Sequence, residues 1–283
     1  MKTKLLAPLL GLLLLTGCGE DDEPNVSPNP EPQSICYLQE QTVVVGDKTS
    51  TISYSYNELN QVIRTEHYEQ GELQEIRTYT YTAEGKLNRE LLLTPEEEEV
   101  SFTVYSYNPG GRLSKYEVKQ QVPGLEAVHQ LASYKVAYDQ LGRLTTATDY
   151  LYQNNREVAS GSVSQTYPQS GGMLATVKGQ GGQTLYTATI QQDTSKYAPL
   201  SATPVYLHRR PGAGYPNLNV ITSFKATTRT GTGTGTEVKE VENVAFTAEY
   251  EYNEQGYPVA GTITYAGEGS RPAKVSYSYT CPD

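Results

Sequence analysis

The chain has 283 residues, 22 basic and 32 acidic, with a formal net charge of −10 and 37% hydrophobic residues. That acidity, with no basic stripe to displace counterions from phosphates, excludes a nucleic-acid partner. Tyrosine numbers 24 against 3 phenylalanines and no tryptophan, a ratio suited to half-wet sheet surfaces where a ring packs and its hydroxyl stays polar.

Lys2 and Lys4 precede an apolar run from Leu5 to Leu15, which is too short to span a bilayer as a helix and reads as a signal peptide. It ends in Leu15-Thr16-Gly17-Cys18, which resembles the lipobox of bacterial lipoproteins. That resemblance implies removal of residues 1–17 and lipidation of Cys18. Gly19-Glu20-Asp21-Asp22-Glu23 follows, then a Pro/Asn/Ser stretch to Ser34. An acidic cluster behind the lipidated cysteine resembles the surface-export signal of Bacteroidota lipoproteins, and implies an outer-membrane anchor facing outward. Residues 18–34 have almost nothing apolar to bury and read as an extended tether. Without the signal peptide, 20 basic residues face 32 acidic ones, a formal charge near −12.

The remaining residues, 35–283, read as a single β-repeat domain. Cys36 opens it and Cys281 nearly closes it, and in an oxidising exported setting the two are expected to pair. Spacing alone leaves two unlinked thiols open as the alternative. Strand-like runs alternate with turn signals: Thr51–Tyr56, Val62–Tyr68, Leu73–Tyr81, Leu87–Leu93, Val100–Tyr107, Leu113–Val122, Ala127–Tyr138 and Leu144–Tyr152. Further turns fall at Gly171-Gly172 and Gly181-Gly182. Pro204 to Asn219 reads as irregular, and the Gly-Thr alternation from Thr230 to Thr236 as a flexible loop. Val259–Tyr265 and Ala273–Cys281 complete the series. No helix-length segment keeps a 3.6-residue apolar period, and the period-two alternation is imperfect, with apolar residues on both parities.

Tyr250-Glu251-Tyr252-Asn253-Glu254-Gln255-Gly256-Tyr257-Pro258 has relatives along the chain. The second tyrosine recurs at Tyr56, Tyr81, Tyr107, Tyr138, Tyr252 and Tyr279, mostly at intervals of 25 to 31 residues, the length of one hairpin and its link. Gly85, Gly111, Gly142, Gly256 and Asn60 stand where a tight reversal needs a positive φ. Tyr138-Asp139-Gln140-Leu141-Gly142-Arg143-Leu144 resembles the YD repeat of Rhs-type proteins, and Tyr105 to Leu113 does so more loosely. With the lipobox and tether, the chain resembles Bacteroidota lipoproteins of unknown function, one group of which has a porin-like antiparallel fold. The fold expected is therefore all-β: an antiparallel meander of repeated hairpins, strongly curved or closed into a barrel-like sheet, and not membrane-spanning. Glu75 and Arg77 share a face with Tyr79 and Tyr81, and Glu249 and Glu251 alternate with Tyr250 and Tyr252, so neither stretch offers a clean lipid-facing row.

His67, His129 and His208 are scattered without ligand spacing, and no nucleophile elbow, phosphate loop or zinc signature is present. No catalytic residue, metal site or cofactor is therefore expected. The candidate ligand-facing aromatics are Tyr79, Tyr81, Tyr105, Tyr107, Tyr250 and Tyr252, whose rows suit a sugar ring or a protein partner. The same rows also suit plain sheet packing. The leading expectation is a non-enzymatic surface lipoprotein, a β scaffold for binding a glycan or a protein or for envelope interaction. The alternatives are a glycan hydrolase with strand-borne carboxylates and a purely structural envelope component.

Overall fold

The computed structural model describes residues 35–121, 128–154, 156–168, 172–202, 219–230, 237–241, 244–267 and 269–282. The signal peptide, Cys18, the tether, His208 and most of the Pro204–Asn219 and Gly-Thr stretches lie outside them. The first strands are β1 (Tyr37–Val45), β2 (Lys48–Tyr56), β3 (Val62–Glu69), β4 (Glu72–Tyr81), β5 (Leu87–Leu93) and β6 (Glu99–Tyr107). Next come β7 (Leu113–Gln121), β8 (Val128–Tyr138), β9 (Leu144–Gln153), β10 (Arg156–Thr166), β11 (Met173–Gly179) and β12 (Thr184–Tyr197). The last are β13 (Asn219–Thr230), β14 (Glu237–Glu240), β15 (Phe246–Tyr252), β16 (Pro258–Tyr265) and β17 (Ala273–Thr280). No described helix is long and apolar enough to cross a membrane.

Nearly every strand pairs antiparallel with the next, and β1 pairs with both β2 and β17, so the meander closes. Short β14 and the start of β15 both pair with β13 and share one position, giving a closed barrel of 16 strands. A disulfide joins Cys36 to Cys281 beside that closure, with the two Cα atoms 4.1 Å apart.

The hairpin turns repeat one design. Asn57, Thr82, Asn108, Asp139 and Asn253 each donate a backbone N–H to the carbonyl four residues on, and each accepts at its own carbonyl from the residue three on. Their side-chain oxygens accept a backbone N–H from the fourth residue, at 2.8 Å for Arg143 onto Asp139 and for Tyr257 onto Asn253. The third residue after each has a positive φ, 57° at Asn60 and 85° at Gly256. Asn, Asp and Thr open these turns because their short side chains can bond the backbone, and Gly or Asn supplies the left-handed residue.

After each such turn the returning strand carries a one-residue bulge. Ile63, Asn88, Ser114, Thr145 and Val259 are skipped by the register with the preceding strand. The extra residue flips the side-chain phase. Leu113 and Tyr116, or Leu87 and Glu90, therefore face the same side although they stand three apart. This accounts for the imperfect alternation in the sequence.

The aromatic face points into the barrel. Leu38, Tyr54, Val62, Tyr79, Leu87, Tyr105, Leu113 and Tyr116 form one buried cluster, to which Leu200, beyond β12, adds from the turn end. Across β10 to β15 the lining changes to Met173, Ala175, Ala188, Ile190, Phe224 and Ala226, with Phe224 stacked on Phe246 at 5.7 Å. These are the strands where the tyrosine repeat lapses, and smaller side chains fill the interior there. On β2, β15 and β17 the outer positions are polar: Ser53 and Ser55, Glu249 and Glu251, and Lys274, Ser276 and Ser278. On β4 to β6 the outer face is instead apolar in part, with Ile76 opposite Leu93 and Leu91 opposite Phe102. The lack of a lipid-facing pattern, whose outer belt is apolar, therefore holds for β2, β15 and β17 and not for β4 to β6. Glu75 and Arg77 do share the face of Tyr79, as the sequence implies, but that face is the interior one. They say nothing about a lipid belt.

Candidate functional site

At three of the repeat positions, and at Tyr167, a tyrosine ties one hairpin to an earlier strand. Tyr56 donates its hydroxyl to the Leu38 carbonyl at 2.6 Å, Tyr81 to Val62 at 2.6 Å, Tyr107 to Leu87 at 2.8 Å and Tyr167 to Leu144 at 2.8 Å. Each acceptor belongs to an apolar residue at a strand start, and Leu38, Val62 and Leu87 are fully buried. Burial, followed by the neighbouring Tyr54, Tyr81 and Tyr37, holds the Tyr56 phenol well above its ordinary pKa, so it remains a donor.

The structure places the six candidate ligand-facing tyrosines as follows. Tyr79 and Tyr105 are 6% and 7% exposed and belong to the core. Tyr81 and Tyr107 spend their hydroxyls on the carbonyls named above. Tyr250 is half-buried over Gly261, with burial first pushing its phenol up to about 12, and Tyr252 carries Lys196 Nζ 4.9 Å above its ring. The physical reason is common to all six: i and i+2 share a face, and here that face is inside.

The inner face of β4 to β8 carries a polar group the sequence did not single out. Glu90 is 2% exposed. Arg77 Nη1 donates to Glu90 Oε1 at 2.5 Å and its other terminal nitrogen binds Glu75, while the Tyr105 hydroxyl donates to Glu90 Oε2 at 2.7 Å. Burial opposes the charge on Arg77, and the two carboxylates more than offset this, so its pKa lies above the ordinary value. Burial and then the Glu90 charge hold the Tyr105 phenol well above its usual range. Buried charges occur in such company because an unpaired one would neutralise instead.

Strand register sets two rows side by side here. Tyr105, Tyr116 and Tyr134 form one, with ring centroids 5.8 Å apart for the first pair and 4.4 Å, stacked, for the second. Glu90, Thr103, Val118 and Ala132 form the other. Large rings beside small side chains leave space, a cavity of about 180 Å³ lined by both rows and Ser101. Ser101 and Thr103, which add hydroxyls to this lining, are buried. The signal available in the sequence was a lone Glu in an otherwise Leu-rich strand, Leu87-Asn88-Arg89-Glu90-Leu91-Leu92-Leu93.

Other clusters do less. Ser50 Oγ lies 2.9 Å and Glu69 Oε1 3.0 Å from the same nitrogen of His67, Nε2, so the three cannot relay a proton through the ring as a triad does. Glu249 and Glu251 line a shallow outer groove with Lys274, but they point from the same strand face. A glycosidase sets its carboxylates on either side of the scissile bond. Only one carboxylate, Glu90, lines the inner cavity. No group of three or more metal-ligating side chains occurs among the described residues.

No family model and no curated protein sequence matches this chain. Solved structures do. A porin-like protein from Bacteroides uniformis is similar at 14% identity, over 85% of this chain and 96% of that one, with a TM-score of 0.55. A porin-like protein from Bacteroides vulgatus is similar at 12% identity, over 87% and 99%, with a TM-score of 0.50. A Photorhabdus luminescens Tc holotoxin pore structure is matched over 81% of this chain and 13% of that one, at a TM-score of 0.33. The first two share the fold.

Proposed function

We infer that the protein is an outer-membrane lipoprotein, anchored through Cys18 and exposed at the cell surface, whose barrel is a non-enzymatic scaffold for binding a glycan or a protein. One observation carries the reading: β2, β15 and β17 keep their tyrosines inside and present Ser, Glu and Lys outside. Strands of that kind offer lipid no apolar belt, and on this reading the lipid link falls to the cysteine of Leu15-Thr16-Gly17-Cys18. A single acyl chain binds membranes only marginally, and two or more make the attachment stable, as a lipidated N-terminal cysteine provides. The fold shared with porin-like proteins fits a scaffold.

The test is metabolic labelling with an alkyne fatty acid in cells carrying the wild-type or Cys18→Ala chain, followed by membrane fractionation and protease treatment of intact cells. The wild type takes up label, fractionates with outer membrane and is cut by external protease. Unchanged labelling of Cys18→Ala, or full protection of the wild type from protease, would refute the anchoring.

A further inference from the structure

We propose that the cavity beside Glu90 is a binding subsite for one neutral pyranose ring, either a free monosaccharide or the terminal residue of a glycan. This rests on the binding reading above and names its ligand class. Size comes first. An apolar cavity of roughly 150 Å³ accepts benzene, so the 180 Å³ here admits one six-membered ring and not a disaccharide.

The lining then selects the ring's chemistry. A pyranose has an apolar C–H face and an equator of hydroxyls. Tyr116 and Tyr134, stacked on each other, and Tyr105 beside them supply an aromatic wall. Glu90 supplies a carboxylate acceptor, and Ser101 and Thr103, both buried residues of the lining, supply hydroxyls. Benzene-like ligands would leave those three groups facing hydrocarbon, which is costly. Cations lose their attraction because Arg77 already meets the Glu90 charge at 2.5 Å, and the Tyr105 hydroxyl holds its second oxygen at 2.7 Å. Anions meet Glu90 itself. Neutral polyhydroxyl rings satisfy every wall. Val118 and Ala132 close the remaining side without a polar group, so the ring's orientation is set from the Glu90 side alone.

The same tightness supports binding over catalysis at this place. Both Glu90 oxygens are held by fixed partners, and no second carboxylate lines the cavity, so hydrolysis of a glycosidic bond has neither its acid nor its opposing base.

Purified mature protein is titrated with a panel of neutral monosaccharides and methyl glycosides by calorimetry and by ligand-observed saturation-transfer NMR, with choline and acetate as charged controls. Oligosaccharides ending in the sugar that binds are then tested, which separates a free sugar from a glycan terminus. Ala132→Leu fills the cavity without removing a polar group. Ser101→Ala with Thr103→Val removes the two hydroxyls without adding bulk to the cavity. We expect saturable binding of at least one neutral pyranose, weakened about tenfold or more by either change, while far-UV circular dichroism and the unfolding midpoint stay close to wild type. Glu90→Gln is not used alone, because it breaks the Arg77 pair and its failure would be ambiguous. Absence of binding by every neutral sugar, binding of choline or acetate instead, or sugar binding unchanged in Ala132→Leu would each overturn the proposal. None of these outcomes alters the labelling result for Cys18, which tests the anchoring separately.

Discussion

Replacing Tyr56 by Phe removes one hydroxyl and leaves the ring. The lost hydrogen bond, 2.6 Å to the Leu38 carbonyl, contributes about 1 kcal/mol net if the carbonyl finds another donor. Leu38 is fully buried and lies beside a bulge in the β1–β17 pairing, so its carbonyl is poorly placed to recruit water. The cost should therefore be about 1–2 kcal/mol. In a domain of this size that is a fall of about 2–8 °C in Tm. The edge-on contact of Tyr56 with Tyr37, centroids 5.7 Å apart, survives the change, which keeps the packing contribution constant. Urea unfolding followed by circular dichroism reads the difference as a lower midpoint with an unchanged slope. Tyr37→Phe is the control, since the Tyr37 hydroxyl has no hydrogen-bond partner among the described residues. Successive ladder tyrosines stand on alternate strands, about 10 Å apart. The double variant of Tyr56→Phe and Tyr81→Phe should therefore be additive to within about 0.5 kcal/mol. A Tyr56→Phe protein within about 0.3 kcal/mol of wild type would refute the view that these hydroxyls tie the hairpins together.

Two further outcomes follow from single sites. Gly261 sits under the Tyr250 ring, and a Cβ there would come within 2.5 Å of that ring and 2.7 Å of the Glu249 carbonyl oxygen, so Gly261→Ala should destabilise by about 1–3 kcal/mol in the same unfolding assay. Adding Tyr250→Ala should not restore it, because the backbone clash persists. Glu157 accepts from Lys135 at 2.5 Å, Tyr152 at 2.8 Å and Ser133 at 2.9 Å, which lowers its pKa to about 2. Its folded pKa lies below the unfolded one, so its contribution is complete above the ordinary carboxylate range and is lost as pH falls toward 2. Because the cluster lies at a salt-screened surface, the loss should be about 1 kcal/mol between about pH 6 and pH 3, and Glu157→Gln should abolish that part of the slope.

Local chemistry was legible in the residues. Strand starts at Val62, Leu87, Leu113 and Leu144 and strand ends at Tyr56, Tyr81, Tyr107 and Tyr138 stand where the turn residues place them. Asn57, Asn108, Asp139 and Asn253 bond backbone within four residues, so the bond can be read from spacing alone. The tyrosine rows were legible as rows, and their destination was not. Tyr79 and Tyr105 could be read for a ligand or for sheet packing, because alternation tells which residues share a face and not which face is inside. The bulges at Ile63, Asn88, Ser114, Thr145 and Val259 hid the phase as well, since each adds one residue that no propensity marks.

By itself the sequence determined an acidic, all-β chain built from hairpins of about 26 residues, because composition and tight turns are written in contiguous residues. Closure of β1 on β17, the inward aim of the tyrosines and the cavity beside Glu90 were decided only in the folded barrel. Each depends on strands far apart in the chain being brought to one register. Glu90 and Ala132 reach the same row through β6 and β7, and one slipped residue in either would turn the row outward.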